Sequence, residues 1–351
     1  MAFLDINNVK ITGISACVPL KSEENNGLEL FDSIEDGQKF INSTGVERRR
    51  IANESITTSD LCFYAAEKLI EEVGWEKESI DCLVFVSQTP DYILPATSCI
   101  LQDRLKLSEE CYTLDISLGC SGWVYGMSVI SNLISNGSIK RGLLLCGDTT
   151  LRSASRLDKS TYPLFGDAGT ATALCHSFGK VMNYHLATDG SGYNAIIIPD
   201  GGYRNPFTVD SLIYKEIEPG IKRHNLHSIL NGMDVFSFGI TKAPQSINML
   251  LDKISKQREE IDYFTFHQAN KFMNEKIRKK LKLEVAQVPY SLTNFGNTSS
   301  ASIPITMVTE LREELKTKKL KHIACGFGVG LSWGSIYFET EEIIVPKLLE
   351  I

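Results

Sequence analysis

Two stretches of this sequence repeat each other at a nearly constant distance along the chain. Residues 78–90 (ESIDCLVFVSQTP) are similar to residues 259–271 (EEIDYFTFHQANK), 181 residues further on, and each stretch follows an amphipathic helical pattern. Both then become mostly apolar, which is typical of a buried strand in a parallel sheet. The repeat predicts a chain built from two similar halves, and this restricts the possible folds more than any other feature.

Two further pairs of segments support the duplication. A strand pattern runs through Gly119-Cys120-Ser121-Gly122 into a helix, and its counterpart runs through Gly296-Asn297-Thr298-Ser299, 177 residues later. Gly147 in RGLLLCGDTT lies 179 residues before Gly326 in KHIACGFGVG. Alternating strands and helices of this kind predict an α/β fold with mainly parallel sheets. The pattern breaks near residue 180, so we expect an N-terminal half at residues 1–180 and a C-terminal half at residues 181–351.

Composition and charge exclude several classes of protein. The net charge of -7 argues against a nucleic-acid or anionic-membrane partner. No apolar run reaches the roughly 18–20 residues of a membrane span, and the N-terminus MAFLDINNVKITG has no signal-peptide pattern. The nine cysteines include no C-x-x-C pair, which indicates a reducing compartment with neither a disulfide framework nor a zinc site. We therefore expect a cytoplasmic enzyme.

Cys120 is the candidate nucleophile. It lies at a predicted strand-to-helix turn between Gly119 and Gly122. A helix N-terminus offers free N–H groups and partial positive charge, so we expect the thiol to have a depressed pKa. The alternative is an inert core cysteine, which is the usual state of a free cysteine in an apolar stretch.

In the duplication His267 corresponds to Val86 and Asn297 corresponds to Cys120, and a pseudo-twofold arrangement would bring these ends of the two halves together. His267 ends an apolar strand, where ligands of α/β sheets bind, although a structural histidine is the alternative. Asn297 lies in a turn where a helix N-cap is the alternative. The sequence shows no carboxylate base beside His267. Two hydrogen-bond donors suit the stabilisation of an oxyanion or enolate better than the activation of water.

Three other segments have candidate roles. The glycine-rich run from Gly326 to Gly334 does not fit a dinucleotide-binding motif, so it either lines a site with backbone N–H groups or forms a turn packed against the Cys120 helix. The irregular stretch at about 186–230 is long enough to shape a binding site or an interface. A basic cluster after His267 either docks an anionic partner or is a solvated helix face.

Five motifs in order resemble those of the β-ketoacyl-acyl-carrier-protein synthase III family, in the thiolase superfamily. They are GCSGWVYG at 119–126, LFGDAGTATAL at 164–174, HQAN at 267–270, GNTSSASIP at 296–304 and GFGVGLSWGS at 326–335. The resemblance covers nearly the whole chain. It implies a thiolase-like fold with its two halves in αβαβα layers.

The resemblance also implies a reaction. Cys120 accepts an acyl group from a thioester while the backbone N–H groups of Cys120 and Val329 hold the carbonyl oxygen. Malonyl-acyl-carrier protein then loses carbon dioxide, His267 and Asn297 stabilise the enolate, and a 3-oxoacyl thioester forms. No metal or other cofactor takes part.

Further roles follow from the resemblance, and the docking role of the lysines also rests on the charge of the basic cluster. The family is homodimeric, and Leu94 matches the residue that caps the acyl pocket of the other subunit. The other implied substrate-binding residues are Arg152, Phe236 and Lys271, and the implied carrier-protein docking residues are Lys276, Lys279 and Lys280. Family members that use acyl-CoA carry a tryptophan and an arginine where this chain has Lys39 and Ser43. The family's arginine just after HQAN, in the carrier-docking region, is replaced here by Phe272. The acyl donor is therefore either an acyl-CoA or an acyl-carrier protein.

Three other functions are compatible with a thiolase-like fold. An acyltransferase would pass the acyl group from Cys120 to an alcohol or amine, but would favour a carboxylate at position 297. A hydroxymethylglutaryl-CoA synthase-like enzyme would need a glutamate base near the site. A non-catalytic partner subunit would have lost the nucleophile.

Overall fold

The computed structural model describes residues 2–351. Its strands are β1 (Ala2–Val18), β2 (Ser22–Glu24), β3 (Arg48–Arg50), β4 (Cys82–Val86), β5 (Tyr112–Ile116), β6 (Arg141–Asp148), β7 (Ala168–Thr188), β8 (Ile196–Ile197), β9 (Lys215–Glu218), β10 (Ile221–Arg223), β11 (Ile229–Leu230), β12 (Tyr263–Phe266), β13 (Lys319–Gly328), β14 (Ser332–Glu341) and β15 (Leu349–Glu350). Its α-helices are α1 (Ile34–Thr44), α2 (Thr58–Val73), α3 (Thr97–Arg104), α4 (Gly122–Ser135), α5 (Gly232–Lys253), α6 (Lys271–Leu281), α7 (Leu292–Phe295), α8 (Ser302–Glu310) and α9 (Arg312–Thr317). No helix within residues 2–351 is long and apolar enough to cross a membrane.

The main sheet is mixed rather than mainly parallel. Its strand order is β12-β13-β14-β7-β6-β4-β5, with β1 also paired to β7. Only β4–β5, β4–β6, β12–β13 and the short β1–β15 pair are parallel among these described strands. The expectation of mainly parallel pairing was wrong because β13 and β14 are joined by three residues, and so short a connection allows only an antiparallel pair. The long strands β1 and β7 are also antiparallel.

The duplication predicted from the sequence is visible in the order of elements. Helix α2 precedes β4 in one half as α5 precedes β12 in the other, and the antiparallel pair β6–β7 corresponds to β13–β14. The α/β fold of two similar halves is therefore confirmed. Residue 180 lies inside β7, whose two ends pair with strands of different halves, so the division into residues 1–180 and 181–351 stays a prediction.

Alternation of side chains along the strands produces five layers. In β4, Val84 and Val86 pack toward the central helices α4 and α8, whereas Leu83 and Phe85 pack toward α2 and α3. In β13, Ala324 belongs to the same central core, and its neighbours face α5 and α6. Successive residues of a strand point to opposite faces, so the part of the main sheet around β4 and the part around β13 are each covered by helices on both sides. These two parts form the two β-layers. The result is the predicted αβαβα arrangement.

The predicted irregular stretch at 186–230 is partly ordered into small sheets. Strand β8 pairs with β11, and β9 pairs with β10. The β8–β11 pair forms one wall of the cavity described below, next to the ends of β6 and β12. The fold therefore places this segment beside the residues that the sequence assigned to the site.

Candidate active site

Cys120 lies between β5 and the start of α4, pressed against the C-terminal half. The N–H of Gly122 donates to the carbonyl of Gly119 at 2.7 Å, which closes the turn around the cysteine. A Cβ added to Gly328 at the end of β13 would lie 2.5 Å from Cys120 Cβ and 2.9 Å from its Sγ. Only glycine fits at position 328, so the nucleophile turn of the N-terminal half packs directly against the glycine-rich run of the C-terminal half.

The pKa of the Cys120 thiol is shifted upward, in the direction opposite to the one that the sequence predicted. Burial and the nearby carboxylate of Asp148 raise the pKa to about 11, although the N–H of Val329, the Ser299 hydroxyl and the cysteine's own N–H favour the thiolate. Desolvation penalises the charged form, and a like charge adds to this penalty. The prediction of a depressed pKa is therefore wrong for the free enzyme, and the thiol is protonated at neutral pH.

His267 follows β12 and is buried. Its backbone N–H donates to the carbonyl of Cys325 at 2.8 Å, and its Nδ1 lies 2.8 Å from the hydroxyl oxygen of Ser302. The ring meets Phe327 edge-to-face, with 5.5 Å between the centroids. Burial lowers the pKa of His267 to about 3, so the imidazole is neutral. A serine hydroxyl can donate or accept, so this contact permits either tautomer of the ring.

Asn297 is fixed by backbone contacts with the LFGDAG segment. Its N–H donates to the carbonyl of Leu164 at 2.9 Å, and its carbonyl accepts from the N–H of Gly166 at 3.1 Å. The side-chain Oδ1 accepts from the N–H of Ser299 at 2.9 Å. The amide oxygen is thereby occupied, and the amide NH₂ remains as the donor for a substrate. The two motifs at 164–174 and 296–304 thus form one structural unit.

A single cavity of about 680 Å³ brings the predicted catalytic residues together. Cys120, His267, Asn297 and Val329 all line it. Much of the remaining wall is apolar and includes Ile196, Ile197, Leu230, Val235, Phe236 and Phe327. An apolar cavity with a few convergent polar groups is typical of a small-molecule site, and this one suits an acyl chain beside a reactive thiol.

The predicted substrate-binding residues are divided between the cavity wall and the surface outside it. Phe236 lines the cavity and stacks with Phe272 at 5.4 Å between centroids. Leu94 is 75% exposed and lies outside the cavity lining. Arg152 donates to the backbone carbonyls of Asn53, Glu54 and Ile56, so its guanidinium supports that loop.

The lysines assigned to partner binding lie on α6. Lys271 is exposed at the start of this helix, where its Cβ packs against Gly45. Lys276 and Lys279 are exposed, and the Lys276 ammonium lies 5.3 Å from the centroid of the Phe272 ring. Lys280 donates to the carbonyl of Ile240 at 3.1 Å. The cationic face therefore adjoins Phe272, a residue of the cavity wall.

Sequence reasoning missed Asp148, a buried carboxylate that lines the same cavity. It ends β6 in the segment RGLLLCGDTT, which the duplication had already marked. An acidic residue at the carboxyl end of an apolar strand was the available signal. Within residues 2–351, no group of three or more His, Cys, Asp and Glu side chains is placed to hold a metal ion.

Five layers in two similar halves, with a cysteine from one half facing a histidine and an asparagine from the other, define a thiolase-fold protein with a cysteine-centred site. The model of the 3-oxoacyl-[acyl-carrier-protein (ACP)] synthase III family matches residues 114–190, and the model of its C-terminal region matches residues 251–340. The chain belongs to the β-ketoacyl-[acyl-carrier-protein] synthase III family.

Individual relatives agree with this assignment over nearly the full chain. The chain is 32% identical over 327 residues to the β-ketoacyl-[acyl-carrier-protein] synthase III of Clostridioides difficile (strain 630), covering 93% of this chain and 96% of the relative. The structure of a 3-oxoacyl-(acyl-carrier protein) synthase from Burkholderia xenovorans LB400 superimposes with a TM-score of 0.94 and 38% identity, over 100% of this chain and 99% of that one. At 18% identity and a TM-score of 0.77, OleA from Xanthomonas campestris shares the fold.

Proposed function

We propose that this protein is an acyltransferase of the 3-oxoacyl-acyl-carrier-protein synthase III type. It joins an acyl group, held as a thioester on Cys120, to malonyl-acyl-carrier protein with loss of carbon dioxide. The observation that carries the proposal is the cavity in which Cys120, His267 and Asn297 meet beside the Val329 backbone. Family membership supports the same conclusion.

In the first half-reaction, the Cys120 sulfur attacks the carbonyl carbon of the donor thioester. Because the free thiol is protonated, its proton must leave as the S–C bond forms, and the neutral imidazole of His267, which lines the same cavity, is the candidate acceptor. The backbone N–H groups of Cys120 and Val329 stabilise the oxyanion. The donor thiolate leaves with the proton from the imidazole, and the histidine returns to its neutral form.

In the second half-reaction, malonyl thioester loses carbon dioxide to give an enolate. Between the half-reactions the neutral imidazole changes tautomer, its proton moving from Nδ1 to Nε2, and the Ser302 hydroxyl serves both forms because it can donate or accept. His267 then donates through Nε2, and together with the Asn297 amide it stabilises the enolate oxygen. The enolate carbon attacks the acyl carbon, the S–C bond to Cys120 breaks, and the 3-oxoacyl thioester is released. The electron pair of that bond stays on sulfur, and the thiolate takes up a proton from solvent to restore the free thiol. The chemistry needs no metal or other cofactor.

The partners and location are part of the proposal. The lysines on α6 suit docking of an acidic acyl carrier protein. Lys271 and Lys276 adjoin Phe272 of the cavity wall, and Lys279 and Lys280 follow them along the helix. Arg152 suits the entrance for the pantetheine thioester, whether carried on CoA or on the carrier protein. The protein acts as a cytoplasmic homodimer without nucleic-acid or membrane partners, and exposed Leu94 reaches the acyl pocket of the other subunit.

The condensation assay tests the function directly. The enzyme is incubated with malonyl-acyl-carrier protein and a panel of acyl-CoAs and acyl-carrier thioesters. We expect equal amounts of carbon dioxide and 3-oxoacyl-carrier product with at least one donor, and the best donor identifies the substrate. A Cys120 adduct that malonyl-carrier protein never discharges, but an alcohol or amine does, would contradict condensation.

Reversing charge on α6 tests the docking surface. The double variant Lys276→Glu, Lys279→Glu is expected to raise KM for malonyl-carrier protein by roughly ten-fold and to weaken its salt dependence, because rim charges control encounter. Lys319→Glu is the control, since this exposed lysine begins β13, whose other end reaches the cavity. Equal losses in both variants, or an unchanged KM, would contradict docking on α6.

A further inference from the structure

The carboxylate of Asp148 binds two turns from different halves of the protein. Its Oδ1 accepts from the N–H of Gln88 at 2.8 Å and from the Ser87 hydroxyl at 3.1 Å. Its Oδ2 accepts from the hydroxyl and the N–H of Ser300 at 2.8 and 3.2 Å. The Thr89 hydroxyl is a more distant donor, at 3.4 Å from Oδ1. Every one of these partners donates, which is the arrangement that suits an ionised carboxylate.

These contacts lie directly behind the nucleophile turn. A Cβ added to Gly122 would lie 3.2 Å from the Cβ of Ser300, so the carboxylate's partner packs against the start of α4. The preceding residue, Ser299, favours the thiolate of Cys120 through its hydroxyl and also hydrogen bonds with the ring of His267 through its backbone. A displacement of Ser300 would therefore move groups that contact both members of the site.

The charge of Asp148 has no cationic partner. Within residues 2–351, its hydrogen-bond donors are backbone N–H groups and hydroxyls, and the titratable side chains that line its cavity are Cys120 and His267. Cys62, which packs on the opposite face of β6, and Cys146, two residues before Asp148 within β6, feel the same negative charge. Burial raises the pKa of Asp148 itself, and its hydrogen bonds to Gln88 and Ser300 act in the opposite direction.

We propose that Asp148 is a positioning residue that locks the 87–89 and 299–300 turns around the nucleophile, and that it places a negative charge in the cavity of Cys120 that opposes formation of the thiolate in the free enzyme. The thiol then loses its proton only when a donor thioester fills the cavity and attack on the carbonyl begins. A protonated thiol reacts more slowly with oxidants and electrophiles than a thiolate does. This inference rests on the proposed role of Cys120 as nucleophile.

The pH dependence of alkylation separates this role from a purely structural one. Iodoacetamide labelling of Cys120 is followed by peptide mass spectrometry from pH 6 to 11, in the wild type and in Asp148→Asn. Loss of a nearby negative charge favours the thiolate, so we expect the Asn variant to be labelled with a midpoint about one pH unit lower. An unchanged or higher midpoint overturns the proposal. The readout does not require condensation, so it stands apart from a failure of the proposed function.

Asp167→Asn is the matched control. Asp167 is also buried and accepts two backbone N–H groups, from Ala52 at 2.9 Å and Leu151 at 3.2 Å, but it lies outside the cavity lining. We expect its alkylation midpoint to match the wild type. If the alkylation midpoint of Cys120 shifts equally in both aspartate variants, the cause is a general loosening of the fold and the proposal fails.

A measurement on the wild type keeps the proposal testable if Asp148→Asn does not fold. The midpoint for Cys120 should lie well above the roughly 8.5 of a free cysteine, and a midpoint at or below that value overturns the proposal. Ser300→Ala retains the charge but removes the 2.8 Å hydrogen bond. This variant should have a lower kcat for acylation and an unchanged KM, and the alkylation midpoint of Cys120 should not shift to lower pH. An unchanged kcat contradicts the positioning role.

Discussion

Replacing Cys120 with alanine is expected to abolish covalent acylation and to lower the condensation rate by roughly 10⁴-fold or more, as removal of a catalytic nucleophile does. Cys120 is the one thiol in the lining of the cavity that it shares with His267, Asn297 and Val329, so no second thiol there can take over the acyl group. Intact-protein mass spectrometry after incubation with acyl thioesters measures the adduct, and product formation measures the rate.

Cys99→Ala is the control for this experiment. Cys99 is the exposed cysteine among the described residues, so it is open to adventitious acylation from solution. We expect this variant to keep the adduct and the activity of the wild type. An adduct that persists in Cys120→Ala but disappears in Cys99→Ala would contradict the assignment of the nucleophile.

The Asn297→Ala variant is expected to separate the two half-reactions. Its Cys120 should still be acylated at close to the wild-type rate, but discharge by malonyl-carrier protein should fall by roughly 10²–10³-fold, because one donor to the enolate oxygen is lost. His267→Ala should slow both steps, since the same ring accepts the thiol proton and later donates to the enolate. Single-turnover mass spectrometry before and after addition of malonyl-carrier protein resolves the two rates.

His176→Ala is a suitable control for the histidine variant. This half-buried residue contacts Phe178 on the surface and lies outside the cavity lining. We expect both half-reactions to proceed normally in it. An Asn297→Ala enzyme that condenses at the wild-type rate would remove the enolate role and would favour acyl transfer to another acceptor.

Much of the fold and site could be predicted because both depend on local patterns repeated along the chain. The 181-residue repeat required two similar halves, and the correspondence of Gly119-Cys120 with Gly296-Asn297 indicated that one site would combine residues from both. The structure confirms the α/β fold and places Cys120, His267 and Asn297 in one cavity. Their catalytic roles remain predictions for the experiments above.

The tertiary structure decided the features that depend on neighbours distant in sequence. A helix N-terminus alone favours a thiolate at Cys120, but burial and Asp148 reverse this, and neither is visible in the local pattern. The predicted direction of strand pairing was also wrong, because an apolar run shows that a strand is buried but not which neighbour it pairs with or in which direction. The sequence thus determined the duplication and the reactive residue types. Packing determined the sheet pairing and the electrostatic environment of the thiol, because both depend on which elements lie side by side in the folded chain.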